Sequence, residues 1–162
     1  MDNTRYAGWD LHQQFSQVVV GSKDGRQKET IKIPHFPRMF DDPRVKKFLQ
    51  PPIEVAGEAC NGWYWVVDGL EKMGAKVHLA HPLKTKLIAE SKVKTDKIDA
   101  RALFNLLRAD FLPESYIAPQ EVREAREIHR HRAALVKIRT SVKNRVHGLL
   151  SKHGIFFKLS DI

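Results

Sequence analysis

The chain has 162 residues, 42% apolar and 29% charged, and its 28 Lys and Arg outnumber 19 Asp and Glu to leave a net charge of +9. That length builds one substantial core plus a small appendage. No apolar run is long enough to span a bilayer, no secretory pattern opens the chain, and the one cysteine, Cys60, excludes an internal disulfide. A cytoplasmic protein with no membrane partner is expected, and the positive excess points to nucleic acid as the partner.

Residues 5–10 read as a first strand. Phe15–Gly21 and Lys28–Ile33 follow as two more, joined by Ser22-Lys23-Asp24-Gly25, and Asp-Gly between strand-like runs predicts a hairpin. Pro34, Pro37, Pro43, Pro51 and Pro52 leave room for only a short helix over Pro43–Leu49, and Gln50-Pro51-Pro52 reads as a linker. Residues 53–58 form a buried-looking strand. Asn61–Met73 reads as a helix stopped by Gly74, with Trp65 expected in the core. Lys76–Ala80 is a short strand and residues 83–92 a helix. Thr95 is placed to cap a helix running to about Asp110. Pro113 interrupts, and Pro119 opens a long helix to about Lys152, in which Ile128, Leu135, Val142 and Leu149 recur every seven residues with Ile138 between.

Four acids fall at special points of this pattern. Asp10 ends the first strand, Glu58 ends the fourth, and Asp96 and Asp99 open the helix after Thr95. A ribonuclease-H-like α/β fold has this order of elements, and there the first and fourth strands lie side by side, which would make Asp10 and Glu58 neighbours. On the helix, Asp96 and Asp99 share a stripe with Leu103, Leu106 and Leu107. If the leucines face the core, the aspartates are carried toward the sheet, where a charge needs a cation, a metal or hydrogen bonds. Convergent carboxylates in a basic protein suggest divalent ions and a polyanionic substrate. Aspartates in a first helical turn are also favoured by capping and the helix dipole alone, so the pattern by itself leaves both readings open. His12 follows Asp10 by two residues; continuing the strand, its side chain would point the same way as that of Asp10 and could help the site, while a surface histidine at a strand end is the preferred reading.

Gly8-Trp9-Asp10-Leu11-His12, Gly57-Glu58-Ala59-Cys60-Asn61-Gly62-Trp63-Tyr64-Trp65 and Lys94-Thr95-Asp96-Lys97-Ile98-Asp99-Ala100 resemble the three acidic motifs of the DEDD transposases. This is the insertion-sequence one-ten family, which includes the pilin-gene-inverting recombinase. Arg132 to Arg145 resembles that family's arginine-rich helix. The resemblance implies an α/β, RuvC-like (ribonuclease-H-like) mixed sheet with flanking helices over residues 1–112. A long basic helical, partly coiled-coil region is expected over residues 113–162. It implies that Asp10, Glu58, Asp96 and Asp99 are both catalytic and metal-binding, holding two magnesium ions, with manganese as the alternative. It also implies DNA as substrate, a structured guide RNA in some members, and a nucleophilic serine in a C-terminal domain. Ser141, Ser151 and Ser160 lack the context of that serine, and the chain reads as an N-terminal fragment unable to complete strand exchange alone. Cys60 departs from the family pattern without touching an acid.

The basic residues gather near the acidic pair, including Lys94, Lys97 and Arg101, and on the long helix, including Arg126, Arg130, Lys137, Arg139, Lys143 and Arg145. Both groups are candidate phosphate contacts, and the helix is the expected seam of a homo-oligomer. The rival readings are a self-sufficient RuvC-like metal-dependent endonuclease and a non-catalytic nucleic-acid-binding and oligomerisation module.

Overall fold

The computed structural model describes residues 3–26, 28–36, 39–88, 96–156 and 158, the side chains of residues 96–98 excepted. Three strands, β1 (Arg5–Leu11), β2 (Phe15–Gly21) and β3 (Lys28–Pro34), make an antiparallel meander. A 3-10 turn (Met39–Asp41) and α1 (Pro43–Phe48) lead to β4 (Ile53–Glu58), then come α2 (Trp63–Lys72), β5 (Lys76–Ala80), α3 (Pro82–Ile88), α4 (Asp96–Arg108), β6 (Glu114–Ser115) and α5 (Gln120–Ser151). The sheet order is β3-β2-β1-β4-β5-β6, with β4 parallel to β1, β5 parallel to β4, and β6 antiparallel to β5. A meander whose first strand is continued by parallel crossover strands is the ribonuclease-H-like fold. Two compact units are distinguished, Met1–Ile117 with the whole sheet and Ala118–Ile162 with α5.

Local chemistry explains the elements. At the β2–β3 turn Gly25 takes φ 72°, a left-handed conformation that a side chain would oppose. The Asp24 carboxylate there accepts from Ser22 Oγ and, at 3.1 Å, from Arg26 N. Asp42 caps α1 by accepting from Arg44 N at 2.8 Å, and Pro43 sits at the first helical position, where its missing N–H costs nothing.

Strand periodicity divides the core into two layers. Ala7, Trp9, Val18, Ile33 and Val55 face one side, against Val45 of α1, Leu49 at its C-terminal cap, and Val66 and Leu70 of α2. Tyr6, Val19, Ala56 and Ala80 face the other, against Ala100, Leu103, Phe104 and Leu107 of α4. Each large side chain so buried contributes about 1.5–3 kcal/mol. Inside the first layer Trp9 Nε1 donates to Ser16 Oγ at 2.8 Å, and Ser16 Oγ lies 2.8 Å from His35 Nε2.

Several expectations are corrected. Trp65 is 42% exposed rather than core, because Gly62 at φ 93° starts α2 at Trp63 and turns Val66, Val67 and Leu70 inward. Its ring instead lies edge-on to His35 and Phe40, at 5.1 and 5.9 Å between centroids. Leu106 is half-buried, and Phe104 takes the core position expected for it. Gln50-Pro51-Pro52 is tied to β1 rather than a slack linker. Arg5 N donates to Pro52 O at 3.1 Å and its guanidinium to Gln50 O. Strand β6 had no sequence signal. The helix expected over 83–92 is present as α3 as far as Ile88, and residues 89–95, with Lys94 and the expected cap Thr95, lie outside the described residues. No helix among the described residues is long and apolar enough to cross a membrane.

Candidate metal centre

The register of β1 and β4 sets the site. Trp9 is paired with Gly57 in the parallel ladder, so the next residues, Asp10 and Glu58, are lateral neighbours at the C-terminal ends of adjacent strands, about 4.8 Å apart in backbone. Both share the pleat of Gly8 and Ala56, the face covered by α4. Gly8 is the point of closest approach. A Cβ there would lie 1.9 Å from Ala100 O and 2.4 Å from Phe104 N, so only glycine lets α4 settle on β1.

The direction of α4 follows from its far end. Arg108 Nη1 donates to Lys23 O at 3.3 Å, and Lys23 lies just beyond Gly21, the partner of Tyr6 at the start of β1. The helix therefore runs antiparallel to β1, and its first turn, with Asp96 and Asp99, lies at the end of the sheet that carries Asp10 and Glu58. Asp99 and Glu58 are half-buried, and the Asp10 side chain is 17% exposed. The side chain of Asp96 lies outside the described residues. Among the described residues, no group of three or more His, Cys, Asp and Glu side chains is gathered closely enough to hold an ion.

Two neighbours define the electrostatics. His12 Nε2 lies 3.0 Å from Asp10 Oδ2, with its side chain 29% exposed. The tight turn after β1, closed by His12 N donating to Phe15 O at 3.0 Å, brings the imidazole back over Asp10 and stacks it on Phe15 at 4.4 Å. The surface reading of His12 therefore gives way to a contact with the acid. The Cys60 thiol is pushed up in pKa, first by burial, then by the negative charges of Glu58 and Asp10, so one thiol senses both carboxylates. The side chains at this end of β1 and β4 offer chiefly carboxylate oxygens, the donors a hard divalent cation prefers.

The basic candidates divide by unit. Arg101 is exposed on α4, while Lys94 and the side chain of Lys97 lie outside the described residues. On α5, Arg126, Arg130, Lys137, Arg139 and Arg145 are exposed and Lys143 is half-buried, and Arg130 Nη1 donates to Glu127 Oε1 at 2.9 Å. The apolar seam of Ile128, Leu135, Ile138, Val142 and Leu149 is also exposed, each residue at 55% or more. Ser141 and Ser151 are exposed on the same helix, and Ser160 lies outside the described residues.

The family model for DEDD transposases of the IS110 type, described as a transposase, matches residues 7–155. A probable family 20 transposase of Pseudomonas aeruginosa is 32% identical over 123 residues, covering 73% of this chain and 35% of the relative. The transposase for insertion sequence element IS1328 of Yersinia enterocolitica is 27% identical over 159 residues, covering 96% of this chain and 45% of the relative. The chain thus spans less than half the length of either relative. Among solved structures, T. thermophilus RuvC in complex with a Holliday junction substrate is similar at TM-score 0.43 and 15% identity, covering 70% of this chain and 100% of that one. Strand order and direction, rather than this last likeness, define the fold. With the family match extending over nearly all of its length, the chain belongs to the DEDD transposases of the IS110 type.

Proposed function

We propose that this chain is the N-terminal catalytic domain of a transposase or site-specific DNA recombinase. Asp10, Glu58, Asp96 and Asp99 hold two magnesium ions, or manganese in their place, at the phosphate to be cut. The observation that carries this reading is the pairing of Asp10 with Glu58 on the face covered by α4, at the end where its first turn brings Asp96 and Asp99. Bound divalent ions would supply Lewis-acid stabilisation of charge at the scissile phosphate and an activated hydroxyl.

The chain's own residues do the rest. Gly8 admits α4 to the sheet, and His12 restrains one oxygen of Asp10. Arg101 on α4 and Arg126, Arg130, Lys137, Arg139, Lys143 and Arg145 on α5 neutralise backbone phosphates of DNA, and a structured guide RNA would use the same chemistry. The exposed seam of α5 pairs with a second copy of the helix. Strand exchange through a covalent serine–phosphate link would conserve bond energy that hydrolysis would lose.

Calorimetric titration of magnesium into the chain tests the metal site without requiring turnover. Binding that disappears in both Asp10→Asn and Glu58→Gln supports the reading. Binding unchanged in both contradicts it.

A further inference from the structure

The end of the sheet remote from Asp10 carries positive charge that the proposed function leaves unused. Two adjoining grooves of about 770 and 480 Å³ share Arg5, Glu29 and Phe48. The larger continues along Lys23, Arg26 and Lys28, and the smaller along Arg44 and Lys47. Arg5 shares its pleat with Ala7 and Trp9, and Glu29 shares its own with Ile33, so both face the layer of α1 rather than that of α4. Arg5 is also five residues from Asp10, about 17 Å along the strand. A strand held at Asp10 would have to run the length of the sheet to enter these grooves.

Glu29 is the exposed carboxylate shared by both grooves, and Asp24 and Asp42 are spent locally, so the basic residues outnumber the carboxylates that face them. Asp24 closes its own turn, and its hydrogen bonds from Ser22 Oγ and Arg26 N hold its carboxyl below the usual range. Asp42 is spent on the N-terminus of α1 and on the Arg44 guanidinium, 2.6 Å away. Lys23, Lys28 and Lys47 are exposed, and no ion pair among the described residues involves them. The turn that carries Lys23 is itself held, because Arg108 donates to Lys23 O and lies against Gly25. Phe48, half-buried, gives the junction of the two grooves an apolar floor.

We propose that this groove binds the phosphodiester backbone of a second nucleic-acid segment, separate from the strand held at the carboxylates. The proposal rests on the nucleic-acid reading above and adds a second contact surface to it. A second DNA segment and a structured RNA offer the same phosphates, and the test distinguishes them.

The experiment measures binding of the full chain to a duplex DNA and to a hairpin RNA by fluorescence anisotropy across a salt series. Wild type is compared with Lys23→Ala/Lys28→Ala/Lys47→Ala and with Arg130→Ala/Lys137→Ala/Arg139→Ala. The groove variant should reduce the slope of log affinity against log salt by about 3, one per lost phosphate contact. It should leave magnesium binding and the melting temperature unchanged, since all three lysines are exposed and remote from Asp10. A loss confined to RNA identifies the segment as RNA, and a loss confined to DNA identifies it as a second DNA segment; both support the site. If the groove variant binds both as wild type does while the α5 variant is weakened, the groove proposal is overturned and the nucleic-acid reading stands. If wild type binds neither, both fall together.

Discussion

The two ends of the sheet use acidic residues differently. At the far end, Asp24 and Asp42 accept backbone amides of their own turn and helix, and lysines around them stay free to meet solvent or phosphate. At the near end, Asp10 and Glu58 are placed side by side by parallel pairing, on the face covered by α4. A carboxylate that closes its own turn lowers local strain, whereas carboxylates gathered from separate elements repel one another until a cation arrives. Sequence separation is the visible mark of this difference. Asp24 and Asp42 each bond within two residues, while the near-end acids span most of the sheet unit.

The largest test of the contrast strikes the backbone beneath the near end. Gly8→Ala would drive a Cβ into Ala100 O and Phe104 N, neither of which can swing aside. It should cost about 3 kcal/mol or more in chemical denaturation and abolish the magnesium response, because lifting α4 displaces Asp96 and Asp99. Next come Asp10→Asn and Glu58→Gln. At magnesium about 100-fold above its dissociation constant, wild type should gain about 2.7 kcal/mol, and each variant should lose most of that gain. Without metal, these variants should be as stable as wild type or more so, since one repelling charge is gone. An acid that merely capped a turn would give the opposite sign.

A smaller effect is expected in the layer behind Asp10. Ser16→Ala removes the oxygen shared by Trp9 Nε1 and His35 Nε2 and should cost about 2 kcal/mol. His35 is held below its ordinary value of 6.5, mainly by burial, so the folded protein keeps it neutral where the unfolded chain would protonate it. Its contribution is fully present above pH 6.5 and is lost as pH falls from there through the lowered folded value. His35→Gln should flatten that part of a stability–pH profile. The smallest effect on folding should come from Leu135→Asp on the exposed seam of α5, less than about 0.5 kcal/mol. It should nevertheless shift sedimentation toward monomer, and an unchanged sedimentation profile would remove α5 from the assembly interface.

Much of the near end was legible in the sequence because strand order alone makes β1 and β4 neighbours, and the acids end those strands. The stripe on α4 was legible in outline. Its inner edge was not, since Phe104 and Leu106 are both compatible with helical spacing and only the close approach at Gly8 chooses between them. Trp65 was misplaced because the left-handed Gly62 sets where α2 begins, and a small shift in helix phase turns a large ring outward. The two-residue spacing of His12 and Asp10 allowed a shared side, but the contact itself depends on the tight turn after β1, which spacing does not determine. The far-end groove was hidden for another reason. Arg5, Lys23, Lys28 and Lys47 lie on four separate segments that only the fold brings together.

The central claim is that acids from β1, β4 and α4 form one divalent-metal site. Anomalous scattering from crystals of the full chain grown with manganese addresses it most directly. The account predicts manganese in contact with carboxylate oxygens of Asp10 and Glu58, at about 2.0–2.2 Å for a hard octahedral ion, and with Asp96 or Asp99 completing the site. Manganese bound only elsewhere, or Asp10 and Glu58 remaining unliganded at saturating metal, would contradict it.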